Sequence, residues 1–380
     1  MSIMKFLFIV QGEGRGHMTQ AISFSQLIRS QGHEVCAVIL GKSKRRAIPD
    51  FFKREINAPI HWIPSPNFET DGKNKKISLS KTLRKNFLKA PIFINSLREI
   101  HLINQRHQPD VILNFYDLLG GLYAGFFRPK AEFWVIGHQY LINHSNYLFP
   151  KKRKLDRLLY QFNTRLSAWT ANKILALSFE PLEAKGKITV VPPLLRRELK
   201  YLNPHPGDFY LAYMVNPGYA EDLIAFAKSN PQIKIKAYWD KKGENEIFHP
   251  RPNLSLQQVN DQKFLEDMAA CKGLVCTAGF ESICEAMYLG KKIMVIPVEG
   301  QYEQACNAIE IQERKIGIAA SEFNFKLLEK TGIKDKEAVK KYQSWVESWS
   351  EIIENLTLEK RSSQVIWPEG SFPNSNHAFG

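Results

Sequence analysis

The chain has 380 residues, of which 44% are hydrophobic and 24% are charged, and its formal net charge is +14. This length exceeds what one hydrophobic core usually holds, and the composition excludes a disordered or fibrous protein, so we expect two globular domains. Residues 1–200 hold 32 Lys and Arg against 14 Asp and Glu, whereas residues 201–380 hold 20 against 24, so all the excess positive charge is N-terminal.

The charge distribution favours an anionic partner for the N-terminal half, such as a membrane surface. Its basic residues cluster at 42–46, 73–76 and 151–154. Solvated loops and helix faces explain such runs equally well. Nucleic-acid binding is not expected, because no recognised module accompanies the clusters and the second half is acidic.

Cysteine usage indicates a reduced, cytoplasmic protein. The five cysteines are an odd number and form no C-x-x-C pair. The sequence starts Met-Ser-Ile-Met-Lys and leads directly into a short apolar run. That pattern predicts neither a signal peptide nor a membrane-spanning helix.

Apolar runs and amphipathic stretches alternate through the N-terminal half, which predicts the βαβ units of a parallel sheet. The expected strands are 4–10, 34–40, 59–63, 110–114, 132–137 and 188–191, and the expected helices are 17–31, one from 46, 78–107, 118–127 and 152–171.

A Pro-rich polar stretch at 192–208 predicts an interdomain linker. A second α/β series follows it, with strands at 209–215, 233–238, 253–256, 273–276 and 292–297 and helices at 218–229, 261–271, 280–289 and 301–314. The fold class is therefore α/β, with two Rossmann-like domains facing across a cleft. The predicted bounds are 1–195 for the N-terminal domain, 196–207 for the linker, 208–330 for the C-terminal domain, 331–360 for a C-terminal helical segment that packs back on the N-terminal domain, and 361–380 for a mobile tail.

A glycine-rich turn follows the first strand, at Gly12-Glu13-Gly14-Arg15-Gly16-His17. Glycines permit close backbone approach, and the following helix offers free N–H groups to a polar ligand. His17 at the carboxyl end of a strand suits general-base chemistry. The alternative is a tight strand-to-helix turn with a capping histidine.

The second half carries two further strand-to-helix junctions, at 275–285 and 297–307. Gly279 can bring a helix N-terminus against a diphosphate. Glu285, one to two turns inward, can accept hydrogen bonds from a ribose diol. The alternative is that Glu281 and Glu285 form an ordinary acidic face on a solvated helix.

These motifs resemble those of the nucleotide-sugar glycosyltransferases of the GT-B fold, including the lipid II-forming N-acetylglucosaminyltransferase and the UDP-glycosyltransferases, and most of all their uncharacterised bacterial and archaeal members. Gly14-Arg15-Gly16-His17-Met18-Thr19-Gln20-Ala21 is similar to their acceptor-side loop. The runs 277–286 and 303–308 are similar to their donor signature.

The resemblance implies a role for each motif residue. His17 would be the base and Asp117 would orient it. Donor binding would fall to Gly279, Phe280, Glu281, Ser282, Glu285, Glu303 and Gln304, and acceptor or phosphate contacts to Gly14, Arg15, Gly16 and His138. Asp117 would alternatively cap the helix at 118–127. His138 would alternatively be a buried, hydrogen-bonded core residue.

Several positions depart from the family pattern. Gln20 stands where a proline is usual, Arg15 replaces a small residue, and Thr277 replaces a histidine that begins the plant-type donor signature. No metal site is expected, because no D-x-D or zinc or calcium spacing is present.

The helix at 78–107 mixes basic and apolar residues, which fits a membrane-surface helix or a core-packed helix with a basic outer face.

The sequence thus predicts an inverting, metal-independent glycosyltransferase without a cofactor. It would move a sugar from a nucleotide-diphosphate sugar, with UDP favoured, to a hydroxyl acceptor, and a lipid-linked or cell-envelope acceptor fits the charge. The alternatives are a nucleotide-sugar 2-epimerase and a non-catalytic nucleotide-sugar-binding partner of a membrane enzyme. We expect a cytoplasmic protein that can lie on the inner face of the membrane.

Overall fold

The computed structural model describes residues 3–42, 48–66, 88–214, 217–239, 247–332 and 335–364. The predicted helical stretch 78–87, the basic runs 43–46 and 73–76 and the predicted tail beyond 364 lie outside these residues.

The N-terminal half is built on a seven-stranded parallel sheet of order β3-β2-β1-β4-β5-β6-β7. Its strands are β1 Lys5–Val10, β2 Glu34–Lys42, β3 Ile60–Pro64, β4 Val111–Phe115, β5 Glu132–Gly137, β6 Lys173–Leu177 and β7 Ile188–Val191. The connecting helices are α1 Arg15–Ser30, α2 Asp50–Ile56, α3 Ala90–His107, α4 Leu118–Phe127 and α5 Lys154–Ser167, with 3-10 turns at His138–Asn143 and Arg197–Tyr201.

Strand β1 shows why this sheet forms. All of its residues after Lys5 are buried, as expected for a strand covered by helices on both faces. Phe6 and Phe8 pack into one core with α1, whereas Leu7 and Ile9 pack into a second core with α3 and α4. The two sides of the sheet are therefore filled independently.

The C-terminal half is a second seven-stranded sheet of order β10-β11-β9-β8-β12-β13-β14, parallel except for the β10–β11 pair. Its strands are β8 Phe209–Met214, β9 Lys234–Trp239, β10 Phe248–Arg251, β11 Leu254–Gln258, β12 Gly273–Thr277, β13 Lys292–Ile296 and β14 Ile318–Ala319. Its helices are α6 Ala220–Ser229, α7 Asp261–Ala270, α8 Phe280–Tyr288, α9 Tyr302–Glu313 and α10 Lys326–Glu329, with a 3-10 turn at Pro217–Tyr219.

The last segment is two helices, α11 Lys336–Glu347 and α12 Trp349–Gln364, within and beyond the C-terminal helical segment predicted at 331–360. Helix α11 lies on the C-terminal half, where Tyr288 donates a hydrogen bond to Glu347 over 3.1 Å. Helix α12 lies on the N-terminal half, where the Trp349 indole N–H donates to the Pro193 carbonyl over 3.1 Å. The break lets the chain return to the first half.

The two halves meet along the carboxyl ends of their strands, and one hydrophobic core includes residues of both, among them Met18, Phe179 and Phe280. Within the described segments, no helix combines the length and the apolar character needed to cross a bilayer.

Candidate active site

The predicted turn lies at the carboxyl edge of the first sheet and faces the second half. Val10, the last residue of β1, pairs with Leu40 and Phe115, so the neighbouring strands end at the same edge. A side chain at Gly12 would collide with the Gly41 carbonyl, and one at Gly16 would collide with the Glu281 carboxylate. Gly14 is the N-cap residue of α1.

His17 lies in the first turn of α1, against a strained residue. Its ring stacks on Tyr116 with 5.9 Å between centroids and 23° between planes. Tyr116 adopts a left-handed backbone conformation, with φ of 60°, which is uncommon for a bulky residue and marks a site that the surroundings hold in place. Burial lowers the pKa of His17 to about 4, so the imidazole is neutral at physiological pH.

Gln20 links His17 to the other half of the molecule. Its Oε1 lies 3.3 Å from His17 Nδ1, and its Nε2 donates to Glu281 on α8. Since a carboxylate needs a donor, the amide orientation is fixed by Glu281, and Oε1 must accept from an Nδ1–H of His17. His17 Nε2 therefore carries the free lone pair. Burial raises the pKa of Glu281 to about 7.

The Asp117 carboxylate is hydrogen-bonded to groups other than His17, so the structure does not show the predicted orienting role. The carboxylate accepts hydrogen bonds from Ser65 over 2.9 and 3.1 Å and from the Leu119 backbone N–H over 2.8 Å. It therefore caps α4, the alternative that the sequence left open, because an N-cap carboxylate satisfies free helical N–H groups. Burial raises its pKa to about 6.

The donor-side loop is only partly open. A Cβ added at Gly279 would meet no atom within 4 Å beyond its chain neighbours and the backbone of the helix, and α8 begins directly after this residue. Ser282 is half-buried in the first turn. Phe280, predicted to face a diphosphate, instead stacks on His138 at 4.3 Å and packs against Phe179 at 4.7 Å.

Glu285 is bound by an arginine that the sequence analysis missed. Arg196 forms a bidentate ion pair with it, at 2.6 and 2.7 Å, and also donates to the Asp261 carbonyl over 3.2 Å. Arg196 lies in the stretch predicted to be a linker. The available signal was an arginine pair, Arg196-Arg197, directly after the apolar Leu194-Leu195.

Other predicted contacts are occupied by the protein itself. Glu303 accepts from Gln139 Nε2 over 2.9 Å, and Gln304 Oε1 accepts from the Val298 N–H over 2.9 Å. Arg15 lies over the Phe51 ring and donates to Asp261 over 3.3 Å. It therefore joins the two halves.

His138 is a core residue, so its predicted acceptor contact is corrected. It is fully buried, with Nδ1 2.8 Å from the Leu177 carbonyl and Nε2 3.5 Å from Glu310. Burial alone would lower the pKa of His138, but Glu310 and the Leu177 carbonyl outweigh it and raise the pKa above its usual value.

The sequence model described as glycosyl transferase family 1 matches residues 4–332. The chain belongs to this family. An uncharacterised glycosyltransferase of Methanosarcina acetivorans is 23% identical over 348 residues, which cover 83% of this chain and 85% of the relative. The UDP-N-acetylglucosamine--N-acetylmuramyl-(pentapeptide) pyrophosphoryl-undecaprenol N-acetylglucosamine transferase of Histophilus somni is 21% identical over 314 residues, 80% of this chain and 81% of that protein.

Solved structures agree with this fold. The calicheamicin glycosyltransferase CalG4 superposes with a TM-score of 0.62 at 13% identity, covering 96% of this chain and all of CalG4. Phytolacca americana UGT2 complexed with UDP-2fluoro-glucose and pterostilbene gives 0.61 at 12% identity, covering 94% and 99%. The predicted fold class and family resemblance are confirmed: this is a glycosyltransferase of the GT-B type.

In this glycosyltransferase, several acidic residues of the second half meet a side chain of the first half across the interface. These pairs include Asp261 with Arg15, Glu281 with Gln20, Glu285 with Arg196, Glu303 with Gln139, and Glu310 with His138. Among the described residues, no group of three or more His, Cys, Asp or Glu side chains could hold a metal ion.

Proposed function

We propose that this glycosyltransferase moves a sugar, with inversion, from a nucleotide-diphosphate sugar to a hydroxyl acceptor, with His17 as the base. The observation that carries the proposal is the hydrogen-bonded series His17, Gln20, Glu281. It connects an imidazole at the end of the first sheet to the helix that follows the candidate donor loop of the second half.

This series of hydrogen bonds supports a path for the proton. Gln20 holds Nδ1–H, so Nε2 is the atom that takes the acceptor's hydroxyl proton. As that proton leaves, the acceptor oxygen bonds to the anomeric carbon, and the bond from this carbon to the diphosphate oxygen breaks. A single displacement of this kind inverts the anomeric configuration.

Two features support donor binding at the start of α8. The open space at Gly279 lets a diphosphate approach the free N–H groups of the helix, which favour negative charge. Arg196 lies nearby, and a guanidinium fork binds phosphate as well as carboxylate. We propose that the ribose diol takes over Glu285 while Arg196 turns to the diphosphate. UDP is the favoured nucleotide, and the transferred group is a hexosyl unit.

The leaving-group charge would fall to this helix terminus and Arg196, so we expect activity to persist in the presence of EDTA. The positive charge of the first half and the name of the Histophilus relative support a lipid-linked or cell-envelope acceptor. The proposed location is the cytoplasm and the inner membrane surface.

The test begins with a thermal-shift screen of nucleotide sugars, because a ligand that binds the folded form raises the apparent melting temperature. The stabilising donor is then incubated with an acceptor panel, and the anomeric configuration of the product is read by NMR. Product of inverted configuration supports the proposal. Retained configuration, or an epimer of the donor formed without acceptor, contradicts it.

A further inference from the structure

Helix α5 presents apolar side chains to solvent. Leu155, Leu158 and Phe162 are 70%, 65% and 64% exposed. Their spacing of three and four residues places them on one side of the helix. The other side carries the buried Thr164 and Ser167 and packs on the protein. The exposed apolar stripe is therefore separate from the side of α5 that packs on the protein.

Two aromatic residues extend this surface at the C-terminal end of α5. Trp169 follows the helix and meets Phe126, the penultimate residue of α4, edge-to-face at 5.2 Å. Their exposed fractions are 40% and 65%. We call Leu155, Leu158, Phe162, Phe126 and Trp169 the α5 face.

Positive charge surrounds the α5 face. The exposed basic residues include Lys151, Lys152, Lys154, Arg165, Arg128 and Lys130. Within residues 126–130 and 151–170 the sole acidic residue is Asp156. Its carboxylate pairs with Arg153 at 2.6 Å. The net charge of the rim is therefore strongly positive.

We infer that the α5 face docks on the surface of an anionic bilayer. Apolar side chains enter the boundary between headgroups and acyl chains, and the basic rim binds anionic headgroups. A second copy of this chain is a poor occupant, because two such faces would bring their cationic rims together. The inference does not depend on the sugar-transfer chemistry.

Helix α5 lies close to the candidate active site, which suggests a function for membrane docking. The helix starts next to the interface between the halves, where Arg153 donates to the Gly300 carbonyl over 3.2 Å and lies over Tyr302. A bilayer held at this face would therefore lie beside the interface between the two halves. This placement would bring an acceptor anchored in the membrane within reach of His17.

The test is co-sedimentation of the full chain with phosphatidylcholine vesicles and with vesicles containing one quarter phosphatidylglycerol. We expect binding to the anionic vesicles and little to the neutral ones. Phe162→Glu should weaken binding to the anionic vesicles about 10-fold or more, because the substitution removes an inserted ring and adds a negative charge that the vesicles repel. The matched control is Phe248→Glu, since Phe248 is 50% exposed on β10 of the other half.

The rim is tested separately. Lys151→Gln with Lys154→Gln should lower the partition coefficient about 5-fold per residue, whereas Lys228→Gln with Lys263→Gln in the acidic half should not. Equal binding to both vesicle types, no binding to either, or unchanged binding of Phe162→Glu would overturn the inference, as would a dimer that Phe162→Glu dissociates. Transfer to a water-soluble acceptor should be the same in Phe162→Glu and the wild type, which separates this inference from the proposed reaction.

Discussion

Glu281 and Glu285 lie one helical turn apart on α8, and both reach the N-terminal half, but their partners differ. Glu285 meets the guanidinium of Arg196, so its charge is neutralised. Glu281 meets the uncharged amide of Gln20, and burial raises its pKa to about 7. One turn of helix therefore carries a fixed charge pair and a group that titrates near neutrality. The first contact joins opposite charges, whereas the protonation of Glu281 in the second contact varies with pH.

Removing the ion pair between Glu285 and Arg196 should have the largest effect of these changes, and the quantity affected is the free energy of unfolding. Glu285→Ala leaves the partly buried Arg196 with the more distant Asp261 carboxylate, at 3.8 Å, as a counter-charge, which should cost about 3 kcal/mol of unfolding free energy. Urea denaturation measures this. Glu266→Ala, at an exposed position of α7, is the control and should change stability by less than about 0.5 kcal/mol. Equal losses in the two variants would show that Arg196 is solvated.

His17→Ala should lower turnover about 100-fold or more, the scale of a positioned general base. Saturating donor and acceptor are used so that kcat is measured. The control is His101→Ala on α3, where the imidazole contacts Tyr123 rather than the cleft. Turnover of the His17 variant within a factor of three of the wild type would remove His17 from the reaction.

Gln20→Leu should lower kcat about 10-fold with little change in KM, because the His17 tautomer is no longer fixed. The hydrogen bond that His17 donates to Gln20 raises the pKa of His17, so its loss should shift the acid limb of the kcat profile to lower pH. A loss of packing alone would lower kcat without moving the limb. Gln262→Leu, on the exposed side of α7, serves as the control.

Glu281→Gln should give the smallest effect, and one that depends on pH. The folded-state pKa of Glu281, about 7, lies above the ordinary value of 4.5, so the wild type loses stability as the pH rises from about 4.5 to about 7 and no further above that. The variant carries no charge there. Its melting temperature should match the wild type near pH 5 and exceed it by about 2–4 °C at pH 8. A constant difference across this range would show that Glu281 does not titrate there.

The strands could be predicted where long apolar runs ended in turn residues, as in Lys5–Val10 and Glu132–Gly137. Three were missed. Lys173–Leu177 directly follows a helical pattern, and Ile318–Ala319 is two residues long. Neither therefore shows a separate hydrophobic pattern that would predict a strand. Phe248–Arg251 contains a proline, which disfavours a strand prediction except at a sheet edge, where it lies.

The sequence predicted the individual loops of the candidate site but not the contacts between them. The sequence located the turn at His17 and the helix start at Gly279, because both follow strands of a parallel sheet. The sequence did not predict that Arg196, Gln20 and Gln139 contact acidic side chains of the second half. Their roles arise from contacts between halves that are far apart in sequence, and local pattern carries no information about which side chains meet there.

The return of the chain to the first half restricts how this molecule can move. The backbone passes between the halves once in the Pro-rich segment at 192–208 and again at Ser348, between α11 and α12. When the backbone connects two rigid bodies at two points, their largest relative motion is a rotation about the line through these two connections. Substrate entry and product release should therefore proceed by swinging the halves apart, without sliding or twisting of one past the other.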